Sequence, residues 1–151
     1  MMKENDILIH PYNEIYRQEI LAIWENSVLA THHFLSLTDF VEIKQLVANL
    51  NFNEFQVFCS VNENTVMGFI GVADEKVEML FLDPKYFGHG IGKKLLSFAV
   101  DELNVNKVDV NEQNTKAIKF YQNFGFQTFE RTDKDDQGKS YPLLRMKLVG
   151  K

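Results

Sequence analysis

Leu82-Asp83-Pro84-Lys85-Tyr86-Phe87-Gly88-His89-Gly90-Ile91-Gly92-Lys93-Lys94-Leu95-Leu96 is the stretch on which the reading of this chain turns. The run before it, Met79-Leu80-Phe81-Leu82, is apolar on both faces, as expected of a central strand, and Pro84 ends it. Glycines at 88, 90 and 92 then let backbone approach backbone, or a ligand, with no Cβ in the way. From about Lys93 to Leu103 the residues Leu95, Leu96, Ala99, Val100 and Leu103 recur at helical spacing. The first N–H groups of such a helix lack intrahelical partners, and with the helix dipole they make an anion site. Lys93 and Lys94 add positive charge, and a diphosphate is the natural guest. The plainer reading is a tight turn whose glycines serve packing alone. Two other phosphate motifs are excluded. A P-loop needs Ser or Thr where Lys94 follows Gly92-Lys93, and a dinucleotide fingerprint needs glycine where Lys93 stands three residues after Gly90.

Working outward, Lys107 to Val110 reads as a short strand, so strand, loop, helix and strand form a parallel, right-handed crossover. Asn114 to Phe124 reads as a helix closed by Gly125 as its C′ residue. Asn114, Ala117, Tyr121 and Gly125 lie on one stripe of it, two polar tips among two small residues. Phe126 to Phe129 and Leu143 to Leu148 form a last strand pair, joined by a polar, exposed connection over Asp133 to Ser140. On the other side, Val77 to Leu82, Val66 to Val72 and Phe55 to Val61 are strands. A helix over Thr38 or Asp39 to Leu50 buries Phe40, Ile43, Val47 and Leu50. An earlier helix, capped by Asn13, buries Ile15, Ile20, Ile23, Trp24 and Val28 and fades near Thr31; Ile7-Leu8-Ile9 is the first strand, stopped by Pro11. The order βααβββαβαββ predicts one α+β domain over residues 1–151, with a mixed, mostly antiparallel central sheet, one parallel β-α-β crossover and helices on both faces.

The glycine stretch resembles motif A of the GNAT acetyltransferases, Gln/Arg-x-x-Gly-x-Gly/Ala. Asn114-x-x-Ala117-x-x-x-Tyr121-x-x-x-Gly125-Phe126 resembles their motif B. The order of elements is similar to the GNAT fold over nearly the whole chain. Trp24 to Val28 with Thr31 to Leu35 is similar to a bacterial subfamily of mostly unassigned substrate. The resemblance implies an acyl-CoA-dependent N-acyltransferase that passes an acetyl group from acetyl-CoA to a primary amine, on a small molecule or on a peptide lysine or N-terminus. It implies that Leu80, Phe81 and Leu82 pair their backbone with the pantetheine arm. Phe87, Gly88, His89, Gly90, Ile91, Gly92 and Lys93 hold the diphosphate, Asn114 binds the arm near its thiol, and Tyr121 sits by the sulfur. Phe87 occupies the usual Gln/Arg position, which implies weakened rather than abolished diphosphate binding; an acyl-CoA-binding sensor with little transfer is the alternative.

Direct attack needs a neutral amine and a proton for the departing thiolate. Tyr121 is the expected acid, since a phenol is a donor at neutral pH. For the base, Glu78 and Asp109 are the polar intruders on the two central strands. Asp109 sits between Val108 and Val110, a half-apolar setting that raises a carboxylate's pKa. His32, His33 and Phe34 lie in the connection between the first two helices, which borders the acceptor site in this fold; Trp24 and Ser27 are expected to line the same pocket. No metal is expected, because His10 and His89 have no ligand-like spacing to the histidine pair.

Composition narrows the partners. A net charge of -5 offers no basic face for nucleic acid. A lone cysteine, Cys59, excludes an intrachain disulfide and suits a reducing compartment. Met1 to Asp6 lead into only a few apolar residues, with no signal-peptide core, and no apolar run is long enough for a bilayer. The expectation is a cytoplasmic enzyme without membrane contact, monomer or homodimer.

Overall fold

The computed structural model describes residues 7–150; Met1 to Asp6, read above for a leader, lie outside the described residues. The elements are β1 (Leu8–Pro11), α1 (Arg17–Thr31), α2 (Leu37–Ala48), β2 (Gln56–Asn62), β3 (Thr65–Ala73), β4 (Lys76–Leu82), α3 (Ile91–Leu103), β5 (Lys107–Asn111), α4 (Thr115–Phe124), β6 (Phe126–Thr132) and β7 (Leu143–Leu148). The sheet runs β1-β2-β3-β4-β5-β7-β6, antiparallel throughout except for the parallel pair β4–β5. On one face α1 and α2 pack Ile20, Ile23, Trp24 and Val47 against Val57, Cys59 and Phe69. On the other, α3 and α4 pack Leu95, Leu96, Ala99 and Tyr121 against Met67, Ile70 and Met146. Removing a filled aromatic such as Phe69, which is wholly buried, costs about 3–5 kcal/mol as Phe→Ala. Cys59 is equally buried, and burial, with Glu19 nearby, pushes its thiol up to about 12, so it is an inert packing residue.

Helix starts differ from the sequence reading for local reasons. Asn13 does cap, accepting from the Ile15 N–H at 3.0 Å, but it opens a single 3-10 turn over Glu14–Tyr16 rather than the α-helix. The tighter winding turns Ile15 outward, and it is 76% exposed instead of buried. In α2 the cap is Ser36, whose Oγ accepts from the Asp39 N–H at 3.1 Å. Leu50 lies past the end of α2, though it still packs on the core.

Two departures from regular structure shape the site. Gly71 pairs with Met79 and Val72 with Val77, so Glu78 is an extra residue in β4, a β-bulge. The parallel pairing of β4 with β5 covers only Lys76↔Lys107 and Val77↔Val108 and stops where the bulge begins. Beyond it the strands diverge. Leu80, Phe81 and Leu82, apolar on both faces of the strand, are half-buried, and the edge of β4 toward β5 is open beside them. The β6–β7 connection is not free either. Lys139 Nζ lies 3.0 Å from both Asp39 and Glu42, and the Tyr141 hydroxyl donates to the Asp39 carboxylate while accepting from the Ser36 N–H at 3.3 Å. The loop is thus strapped to the start of α2.

Candidate active site

Where β4 and β5 part, a cavity of about 500 Å³ opens. Its walls are β4 from Val77 to Leu82, β5 from Val108 to Asn111, the first turns of α4, the glycine loop at Phe87, Gly88 and Gly92, and the end of α1 at Ser27, Thr31 and His32. The cavity therefore connects the start of α3 with the end of α1, passing between two strands that do not pair.

At the glycine end, Gly88 and Gly90 have φ of +83° and +78°, and a Cβ on either would meet nothing within 4 Å. These glycines answer a backbone requirement, not a packing one. The first ladder bond of α3 is Lys94 N–H to Gly90 C=O, so the N–H groups of Ile91, Gly92 and Lys93 precede the ladder. Gly90 at the N-cap has no side chain to accept from them. Ile91 itself is wholly buried and contributes only its backbone. Lys93 and His89 are exposed and do not line the cavity. Lys94, expected to add charge here, turns away: its Nζ donates to the Ile7 carbonyl at 2.6 Å.

Asn114 is the N-cap of α4, its Oδ1 accepting from the Ala117 N–H at 3.2 Å. That fixes the amide and leaves its NH₂ as the donor for the cavity. Tyr121 is 6% exposed, edge-on to Phe120 at 5.1 Å and to Phe126 at 5.6 Å. Burial raises its pKa above the ordinary phenol value, so it stays a proton donor at neutral pH.

The two carboxylates separate cleanly. Asp109 is not in a half-apolar setting: its Oδ2 lies 2.5 Å from Lys76 Nζ and 2.7 Å from Arg145 Nη1. Both cations engage this carboxylate, so its place is structural. Glu78, carried by the bulge, lines the cavity with no ion pair among the described residues. Its pKa is raised, first by desolvation and then by Asp109, Asp136 and Asp74, against the opposing pull of Lys76.

At the far end, Ser27 and His32 reach the cavity as expected, while Trp24, His33 and Phe34 do not line it. Trp24 is 4% exposed and stacks on Phe40 at 5.8 Å, so it belongs to the core. His33 is exposed, and Phe34 packs between His32 and Tyr141. Thr31, Lys116 and Phe120 line the cavity and were missed. Lys116 is two residues from Asn114, off the Asn114–Ala117–Tyr121 stripe, so the stripe gives no signal for it; the only hint at Thr31 is its place in the stretch from Thr31 to Leu35.

A glycine-started helix with bare N–H groups, an open strand edge and a buried phenol thus meet at one cavity. The acetyltransferase (GNAT) domain profile matches residues 53–128. Peptidyl-lysine N-acetyltransferase YjaB of Salmonella typhimurium is 38% identical over 130 residues, which are 85% of this chain and 89% of that protein. Its Escherichia coli counterpart is 38% identical over 134 residues, 88% and 90% of the two chains. The solution structure of apo YjaB from E. coli aligns with a TM-score of 0.87 at 36% identity, covering 96% of this chain and 99% of that one. PaiA N-acetyltransferase of Thermoplasma acidophilum, solved with coenzyme A, shares the fold at a TM-score of 0.69 and 21% identity, covering 94% and 98%. The chain belongs to the GNAT family of N-acetyltransferases.

Proposed function

We propose that this chain transfers the acetyl group of acetyl-CoA to the side-chain amine of a lysine in a peptide or protein, as a cytoplasmic enzyme. The observation that carries the reading is the divergence of β4 from β5 at the Glu78 bulge, which aligns an open strand edge with the bare start of α3. The residues present fit such a cosubstrate. The N–H groups of Ile91, Gly92 and Lys93 suit a diphosphate. The free edge of β4 from Met79 to Leu82 suits an amide-bearing arm that pairs like a strand. The Asn114 amide donates to the arm, and Phe87, 42% exposed, gives the entrance an apolar wall in place of a polar side chain.

When bound, the cosubstrate supplies a thioester carbon as electrophile. Tyr121 donates its proton to the leaving sulfur. Glu78 accepts a proton as the amine attacks, directly or through water, and its raised pKa brings it nearer to working pH than an ordinary carboxylate. The peptidyl-lysine names of the two YjaB relatives favour lysine over other amines.

Calorimetric titration with acetyl-CoA, CoA and ATP in parallel, followed by thiol release with a lysine peptide, tests this. Binding of both CoA species with ATP silent, and a mass shift of one acetyl on the lysine side chain, is the expected result. Binding of CoA with transfer to small amines but none to peptide lysine would end the acceptor assignment.

A further inference from the structure

The two ring nitrogens of His32 are not equivalent. Thr31 Oγ1 lies 2.7 Å from the Ser27 carbonyl oxygen and 2.7 Å from His32 Nδ1. A carbonyl only accepts, and a threonine hydroxyl has one proton. That proton is committed to Ser27, so Oγ1 meets the ring with a lone pair and Nδ1 must carry the N–H. In the neutral ring the lone pair then resides on Nε2. Ser27, Thr31 and His32 all line the cavity that Glu78 lines from β4. The ring is also held: the His32 backbone N–H donates to Val28 at 2.8 Å, and Phe34 packs on the imidazole at 5.2 Å.

We infer that His32 is a second proton acceptor, which takes a proton from the acceptor ammonium through Nε2 and presents the neutral amine for attack. This rests on the acetyl-transfer reading above and assigns one of its proton steps. An ammonium must lose two protons to become an amide. The first goes to His32. The second goes to Glu78 as the nitrogen–carbon bond forms and the carbon–sulfur bond breaks, and the sulfur takes the Tyr121 proton. One of the two removed protons returns to Tyr121 and the other leaves to solvent, so the cycle closes.

The groups around the ring set its pH range. His33 adjoins it in the chain, Tyr141 lies beyond Phe34, and Glu78, Asp109, Lys116 and Tyr121 occupy the other cavity walls. The carbonyl end of α1 favours a charged ring. Desolvation, assisted by His33, wins and lowers the His32 pKa below 6.5, so the ring is neutral at physiological pH.

Two measurements test the role. Nitrogen–proton NMR correlations of the imidazole in the protein alone, at neutral pH, report the tautomer: Nδ1–H is expected, and an Nε2–H ring overturns the proposal. The pH dependence of kcat/KM for a lysine peptide gives the second. Two groups must be deprotonated, so below both pKa values the profile falls by about two decades per pH unit in the wild type and by about one in His32→Gln or Glu78→Gln. His32→Gln lowers kcat/KM at neutral pH by about a hundredfold while the acetyl-CoA Kd stays within about twofold. Thr31→Val, which frees Nδ1 without touching the ring, loses about tenfold and serves if the glutamine variant folds poorly. A wild-type profile in His32→Gln overturns the role. A chain that binds no acetyl-CoA ends the transfer reading and this role with it, whereas a transfer-competent chain with an Nε2–H ring ends the role alone.

Discussion

Helices α3 and α4 open onto the same cavity, and they complete their first turns in opposite ways. At α4 the chain supplies its own acceptor, Asn114 Oδ1 bound to the Ala117 N–H. At α3 it supplies none: Gly90 stands at the N-cap with φ +78° and no side chain. An N-cap side chain outdoes glycine by only about a few tenths of a kcal/mol, so α3 forgoes a little stability that α4 keeps. The difference teaches where a ligand's charge belongs. On the proposed reading the bare helix start takes the anion, while the capped one directs a fixed amide and a phenol at the reacting end.

The sharpest way to break this division is at α4, four helical positions beyond Ala117. Tyr121→Phe keeps the packing on Phe120 and Phe126 and removes the hydroxyl. Turnover in a thiol-release assay is expected to fall by about a hundredfold or more, with acetyl-CoA affinity within about twofold by calorimetry. A variant that turns over normally would make the phenol a positioning group only.

Next in size is a carboxylate placed on the bare helix. Gly90→Asp puts a negative charge where the diphosphate is expected. The left-handed backbone at φ +78° adds strain of about 1–2 kcal/mol. Thermal stability therefore falls by that amount while acetyl-CoA affinity drops at least about tenfold. Unchanged affinity would place the diphosphate elsewhere.

The smallest effect separates the two tasks of Asn114. Asn114→Asp retains Oδ1 for the cap and loses the amide donor. The melting temperature is expected to hold, with acetyl-CoA binding about threefold to tenfold weaker. Asn114→Ala loses both, weakening binding similarly and destabilising the fold by about 1 kcal/mol in a denaturant titration.

Much of this was legible along the chain. The order of elements, the crossover, the glycine loop and the Gly125 stop depend on local backbone chemistry, which a sequence states directly. What escaped depends on partners far away. Asp109 reads as a carboxylate among valines because Arg145, which neutralises it, is 36 positions later on another strand. The Glu78 bulge is a matter of register against β3 and has no local signature. Trp24 suits both the helix core and the pocket wall in the sequence, and Phe40 of the next helix, stacked on it, decides for the core. Thr31 and His32 carry little meaning singly; their significance lies in one proton that a hydroxyl cannot donate twice.

The strap of Lys139 and Tyr141 across Asp39 and Glu42 has a kinetic side. It joins positions 100 and 102 residues apart, so during folding it can close only after the intervening strands are assembled. A contact made that late is absent from the transition state. Breaking it, as in Tyr141→Phe, leaves the refolding rate nearly untouched and lets the native protein come apart sooner. The strap is thus a latch on the lifetime of the folded enzyme, engaged last and released first.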